Sequence, residues 1–163
     1  MPLTIREATE RDQPTIRRIV REAKINPSSL SWPHFIVAEE DGEIVGTSQV
    51  KPHRDGSREL ASIAVVPRLQ KRGIGSRLIE AQLARETGTL YLTCRHQLQP
   101  YYERFGFSTI PSGEYPPYFS RMVPVFNRIG RFFRIRIVVM RRVPPTISPD
   151  GKDLASLAGS PSG

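Results

Sequence analysis

The sequence predicts an α/β fold of the α+β kind, in which short strands form a sheet covered by a few amphipathic helices. Strand-like runs alternate along the chain with segments of helical apolar spacing. Asp41-Gly42 joins two β-prone runs in a hairpin, and another β-prone run, ending at Pro67, leads through a glycine turn into a helix. A chain of 163 residues has the length of one domain with one core.

Composition narrows the class. Hydrophobic residues make up 38% and charged residues 25%, as in folded globular proteins rather than disordered ones. No run approaches the roughly 18 to 20 apolar residues of a membrane span. Residues 1–11 lack the apolar core of a signal peptide, so a cytoplasmic protein is expected. The single cysteine, Cys94, excludes an internal disulfide and a multi-cysteine zinc site, and no metal is expected. Cys94 reads as a small buried residue at a strand end rather than a nucleophile. A formal net charge of +8 favours phosphates, nucleic acid, anionic lipid or acidic substrates without choosing among them.

In chain order, residues 3–6 alternate as a strand, and Thr9 with Asp12 resembles a helix cap ahead of the apolar face Ile16, Ile19, Val20. Residues 26–33, rich in turn formers around Trp32, read as an ordered loop able to wall a pocket. Residues 35–38 and 44–50 form the hairpin, and residues 59–66 form the next strand. Leu78, Ile79, Leu83 and Ala84 recur at helical spacing over residues 75–86. Gly88 ends that helix, residues 90–93 form a strand, and Pro100 opens a short helix through Arg104. Strands at 107–110 and 135–140 flank a partly helical insertion at about 111–134, marked by Val123, Val125, Phe126, Ile129, Phe132 and Phe133. Residues 1–143 are expected to form the domain. The Pro-, Ser- and Gly-rich tail, 144–163, is expected to be disordered or loosely docked.

The turn Gln70-Lys71-Arg72-Gly73-Ile74-Gly75 precedes the central helix. Free amides and the helix dipole at such an end favour an anion. Glycines let a phosphate approach the backbone where a Cβ would intervene, and Lys71 and Arg72 add positive charge.

Residues Ile63-Ala64-Val65-Val66-Pro67-Arg68-Leu69-Gln70-Lys71-Arg72-Gly73-Ile74-Gly75 resemble the acetyl-CoA motif of the GNAT N-acetyltransferases, a strand followed by (Q/R)-x-x-G-x-(G/A). Tyr101-Tyr102-Glu103-Arg104-Phe105-Gly106-Phe107 resembles that family's second signature, and the matching order of elements runs from Leu3 to Arg142. The resemblance implies a mixed, strongly twisted, splayed sheet of about six to seven strands flanked by about four helices. It implies acetyl-CoA as co-substrate, its pantetheine arm entering between the fourth and fifth strands, and direct acetyl transfer to an amine. The backbone of Ile63, Ala64 and Val65 would then hold the pantetheine and acetyl carbonyl. Gln70 would start the turn, and the amides of Lys71, Arg72, Gly73, Ile74, Gly75 and Ser76 would hold the pyrophosphate.

Transfer from a thioester to an amine needs a neutral amine, stabilisation of the oxyanion and a proton for the thiolate. By the resemblance, Tyr102 is the general acid, with packing on the cofactor as its plainer role. Strand alternation predicts that Glu59, Ala61, Ile63 and Val65 share one face. A glutamate at the position of Glu59 is the general base in the histone-acetyltransferase branch of the family; the plainer role is a solvated partner of Arg58. His53 or a water is the alternative base. His96 and Cys94 lack a carboxylate to complete a relay and read as structural. Arg95 stands where family members often carry asparagine, which leaves the pantetheine contacts on that side open.

The family builds its acceptor pocket from the segments that are here 26–33 and 111–134. The second carries Tyr115, Pro116, Pro117, Tyr118, Phe119, Arg121, Arg128, Arg131 and Arg134, with no acid between Glu114 and Asp150. Such a wall favours a small-molecule or peptide amine bearing a carboxylate or phosphate, unless the arginines simply form a solvated face. Nucleic acid or an acidic protein is a less favoured partner of the basic C-terminal part, and a catalytically inert CoA sensor is the remaining alternative. Monomer and homodimer stay open.

Overall fold

A computed structural model describes residues 2–145, so the expected tail lies outside the described residues from position 146 onward. Its elements are β1 (Thr4–Glu7), α1 (Gln13–Glu22), β2 (Phe35–Glu40), β3 (Glu43–Pro52), β4 (Arg58–Val65), α2 (Ile74–Arg85), β5 (Leu90–Arg95), α3 (Gln99–Glu103), β6 (Ser108–Thr109), α4 (Pro117–Gly130) and β7 (Ile137–Arg142). All seven strands lie in one sheet, in the order β1-β2-β3-β4-β5-β7-β6. Neighbours are antiparallel except β4 and β5, so the sheet is mixed, as the family resemblance implied.

Both faces of the sheet are covered, which explains why β2 is apolar without alternation. Phe35 and Val37 pack with Ile16 and Val20 of α1, while Ile36 and Ala38 pack with Ile74 and Leu78 of α2. Each such buried aliphatic side chain contributes roughly 1.5 to 3 kcal/mol.

The entry to α1 is held by a charged network. The Thr9 amide and hydroxyl donate to Asp12 Oδ2 at 2.7 and 3.0 Å, starting a 3-10 turn, Glu10–Asp12, that runs into the helix. Arg6 donates to both Asp12 oxygens and to Glu39 Oε2 on β2, tying the cap to the sheet.

β4 and β5 pair at one position, Glu59 opposite Tyr91, and no further pairing joins them. Three residues later β4 carries a bulge. Gln49 lies opposite Ala61 but Thr47 lies opposite Ala64, so the strand takes one extra residue. Ser62 adopts φ +55°, and β3 holds it there through Gln49 Nε2 to its hydroxyl at 2.8 Å and Thr47 Oγ1 to its carbonyl at 2.9 Å. The extra residue breaks the expected alternation. Leu60 and Ile63 pack into the same cluster with Ile79 and Leu90, and Val65 packs with Ile74 and Leu78. Ile63 and Val65 therefore face α2, whereas Glu59 and Ala61 face the other side.

Towards the C-terminus β6 is shorter than the sequence suggests, two residues where 107–110 was expected, and β7 keeps the expected length but lies two residues later than 135–140. β7 begins at Ile137 because the Ile135 amide bonds the Gly130 carbonyl at 2.8 Å, closing the end of α4, with Arg134 in the left-handed region. Asn127 then bonds the amide and carbonyl of Ile137, and a Cβ on Gly130 would lie 2.5 Å from the Ile135 carbonyl oxygen. Phe119 and Val123 of α4 pack on Ile110 and Val139, so the helix is fixed along its length.

The Arg6 hydrogen bonds hold the Asp12 carboxyl down to about 2. A depressed folded-state value stabilises the fold above the ordinary carboxylate range and loses that contribution as pH falls from about 4 towards 2, amounting to about 2 kcal/mol. Urea unfolding of wild type at pH 7 and pH 3 is expected to show this loss, and Arg6→Met to lower stability at pH 7 while flattening the acid limb.

Candidate active site

The glycine turn forms one end of the site. Gly73 is the N-cap of α2 in the left-handed conformation, φ +80°, and no side chain caps this helix end. The first amides of α2 are thus available to an anion. Lys71 also has positive φ, and Gln70 Nε2 donates to the Val65 carbonyl at 3.0 Å, closing the turn onto β4. A cleft of about 240 Å³ opens here between Val65, Gln70, Lys71, Gly73, Gly75 and Ser76. Arg72 is exposed and does not line it; Ala64 is buried, and the Ile63 side chain packs in the core. Beyond Glu59 no strand lies beside the β5-facing edge of β4, which leaves main-chain groups of Ile63 to Val65 facing the gap.

Tyr101 closes the cleft. Its hydroxyl lies 3.1 Å from Ser76 Oγ, and a Cβ on Gly75 would come within 3.6 Å of it. Sequence reasoning passed over this residue, because two adjacent tyrosines on a short helix give no sign of which one points where. Tyr102 packs instead against the cluster containing Cys94 and Phe107, its ring edge-on to Tyr101 and Phe107. Burial pushes its hydroxyl well above the usual tyrosine range, with Cys94 and Tyr101 adding to the shift. Cys94 is itself buried and pushed up to about 11, with Sγ 3.8 Å from Met140 Sδ, as suits a core residue.

Glu59 forms the other end. Arg58 does not pair with it, since Arg58 makes a two-pronged bond to Glu86 at 2.8 Å. Glu59 is buried, and its Oε2 lies 2.7 Å from His53 Nε2. The two residues read from sequence as rival bases are one pair. His53 stacks on Tyr118 at 3.5 Å between centroids, with Phe119 edge-on at 5.7 Å, so α4 covers the pair. Lys51, the cross-strand partner of Glu59, is buried and donates to the Ser28 carbonyl at 3.1 Å. Burial lowers the Lys51 pKa against the pull of Glu59. The 26–33 loop is pinned further by Gln13, which bonds the Leu30 carbonyl and the Trp32 amide. The 26–33 loop is thus held by Lys51 and the 111–134 segment by His53, the two residues that flank Glu59. A second cleft, about 590 Å³, opens beside His53 and Tyr118, with Arg54, Arg121 and Asp55 on its walls, the Asp55 carboxylate accepting from the Tyr118 amide and the Ser57 hydroxyl; Arg128, Arg131 and Arg134 do not line it.

The chain has a parallel contact that opens at once, a bulged β4 and an uncapped glycine turn, and residues 31–109 match the family model described as an acetyltransferase (GNAT) domain. Over these residues the chain carries a GNAT acetyltransferase domain.

Solved structures extend the likeness to the whole GNAT fold. N-acetylglutamate synthase from Neisseria gonorrhoeae, complexed with coenzyme A and N-acetyl-glutamate, is 20% identical over 88% of this chain and 35% of its own, with a TM-score of 0.67. This chain thus spans about a third of that protein. The ribosomal-protein-S18-alanine N-acetyltransferase from Escherichia coli is 20% identical over 91% of this chain and 98% of its own, with a TM-score of 0.64. Ard1 from Thermoplasma volcanium is 19% identical over 88% and 98%, with a TM-score of 0.62. At these identities the likeness establishes the fold. No curated protein matches the chain by sequence.

In the GNAT domain, Gly73→Glu places a carboxylate on the anion-seeking turn and a Cβ at φ +80°. Calorimetric titration is expected to show CoA affinity reduced at least about a hundredfold. Affinity equal to wild type would remove the pyrophosphate from this turn.

Proposed function

We propose that the protein is an acetyl-CoA-dependent N-acetyltransferase that moves an acetyl group directly to an amine. The observation that carries this reading is the gap between β4 and β5, which has an uncapped helix N-terminus at one end and a buried Glu59–His53 pair at the other. Acetyl-CoA, when bound, supplies an acetyl group activated as a thioester.

In this reading the main chain of Ile63, Ala64 and Val65 orients the pantetheine and acetyl carbonyl along the open edge of β4. Gln70 holds the turn, and the amides of Lys71, Arg72, Gly73, Ile74, Gly75 and Ser76 bind the pyrophosphate, with Lys71 and Arg72 adding charge. Glu59 takes the amine proton through His53, which bonds Glu59 and lines the second cleft. Tyr102 keeps its proton across the physiological range and donates it to the departing thiolate.

Residues 1–143 form the catalytic domain, and the 111–134 insertion supplies the acceptor wall through Tyr118 and Arg121. Arg54 and Arg121 favour an acceptor, small molecule or peptide, that carries a carboxylate or phosphate. No described helix is long and apolar enough to cross a membrane, and the cytoplasm is the proposed compartment.

Release of free CoA thiol from acetyl-CoA across a panel of anionic and cationic amines tests the reading. Glu59→Gln is expected to lower kcat by about 10² to 10³, and Tyr102→Phe by about tenfold, with CoA affinity nearly unchanged. CoA binding without turnover on any amine would turn the assignment towards a binding module.

A further inference from the structure

α4 and the 3-10 turn that follows it, Arg131–Phe133, carry an exposed apolar stripe. Val125, Phe126, Ile129, Phe132 and Phe133 recur at helical spacing on one side, and Phe132 and Phe133 are 88% and 71% exposed. Two phenylalanines this exposed, continuous with three more apolar side chains, exceed the scattered apolar residues of an ordinary surface. The patch is held firmly, since Asn127 and Gly130 lock the helix end to the start of β7.

Arginine surrounds the stripe. Arg121, Arg128, Arg131, Arg134 and Arg136 are exposed, and among the described residues no carboxylate pairs with any of them. The occupant must therefore accept apolar groups and also present negative charge. A second copy fails the charge condition, because a two-fold contact would set arginines against arginines. Single-stranded nucleic acid meets the charge condition but has no use for the aliphatic Val125 and Ile129, which offer no face for stacking. An anionic bilayer meets both: phenylalanine and isoleucine enter the acyl boundary while arginines meet the phosphates.

We propose that the C-terminal end of α4 with Arg131–Phe133 is a docking surface for anionic membrane lipid. The stripe lies in the plane of the interface, as a peripheral anchor and not a span. α4 sets Tyr118 over His53 in its first turn and ends at this patch, so docking orients the acceptor cleft relative to the membrane.

The test is co-sedimentation of the full chain with phosphatidylcholine vesicles with and without about 30% phosphatidylserine. Binding is expected only with the anionic lipid and is expected to weaken as salt rises. Phe132→Ser/Phe133→Ser should lower the partition coefficient at least about tenfold, with the thermal midpoint nearly unchanged because both side chains are largely exposed. Arg128→Gln/Arg131→Gln should lower it by a similar factor. Absence of binding, or binding that survives the Phe substitutions, would overturn the proposal. So would a dimer in sedimentation velocity, or tight oligonucleotide binding by anisotropy, that is abolished by the Phe substitutions in a protein indifferent to vesicles. None of these readouts depends on the acetyltransferase reading.

Discussion

β4 and β5 touch at Glu59 and Tyr91 and separate from there, and most of the candidate site is arranged around that separation. A parallel neighbour would normally satisfy the main-chain groups of the adjoining edge. Here β5 turns away to pair along its whole length with β7, leaving the edge of β4 from the bulge to Val65 without a strand. The bulge at Ser62 increases the local twist and lets β4 diverge from β5 while it pairs with β3 on both sides of the bulge. Gln49 and Thr47, both buried, stabilise a conformation that serine on its own disfavours.

The same bulge divides the chemistry between the two faces of the sheet. Ile63 and Val65 turn towards α2, whose uncapped N-terminus collects the positive end of the helix dipole. Glu59 and Lys51 turn the other way, into a face that would be apolar if packing alone decided it. Buried polar groups need partners, and these draw in the two connections that surround the site. Lys51 holds the Ser28 carbonyl and Glu59 holds His53, which in turn carries Tyr118. The polar pair thus organises the loop after α1 and the beginning of α4 as one wall.

α4 has two unequal halves. Its first half contributes Phe119 and Val123 to a core with Val139 and stands over His53. Its second half is anchored through main-chain and amide bonds to β7, so its outward apolar residues contribute little to the fold itself. Stability does not require Phe132 or Phe133 where they stand, and the arginines around them add charge repulsion that folding alone does not need.

Local chemistry was legible in the sequence. The Asp41-Gly42 hairpin, the Thr9–Asp12 cap, the glycine turn before α2 and the order of strands and helices each rest on residues close together in the chain, where turn chemistry and periodicity act. The family signatures lie in such local segments, which is why the mixed, splayed sheet followed from them. The side-chain geometry was legible only in part. Alternation placed Glu59 with Ile63, but a bulge without glycine, held by side chains of another strand, reversed it. Which of two adjacent tyrosines reaches Ser76, and that His53 and Glu59 meet under Tyr118, depend on how elements distant in sequence pack. By itself the sequence determined the elements, the glycine turn before α2 and the charge. The tertiary structure decided the partner of each buried polar group and the apolar residues left facing water, because both depend on long-range contacts that no local pattern encodes.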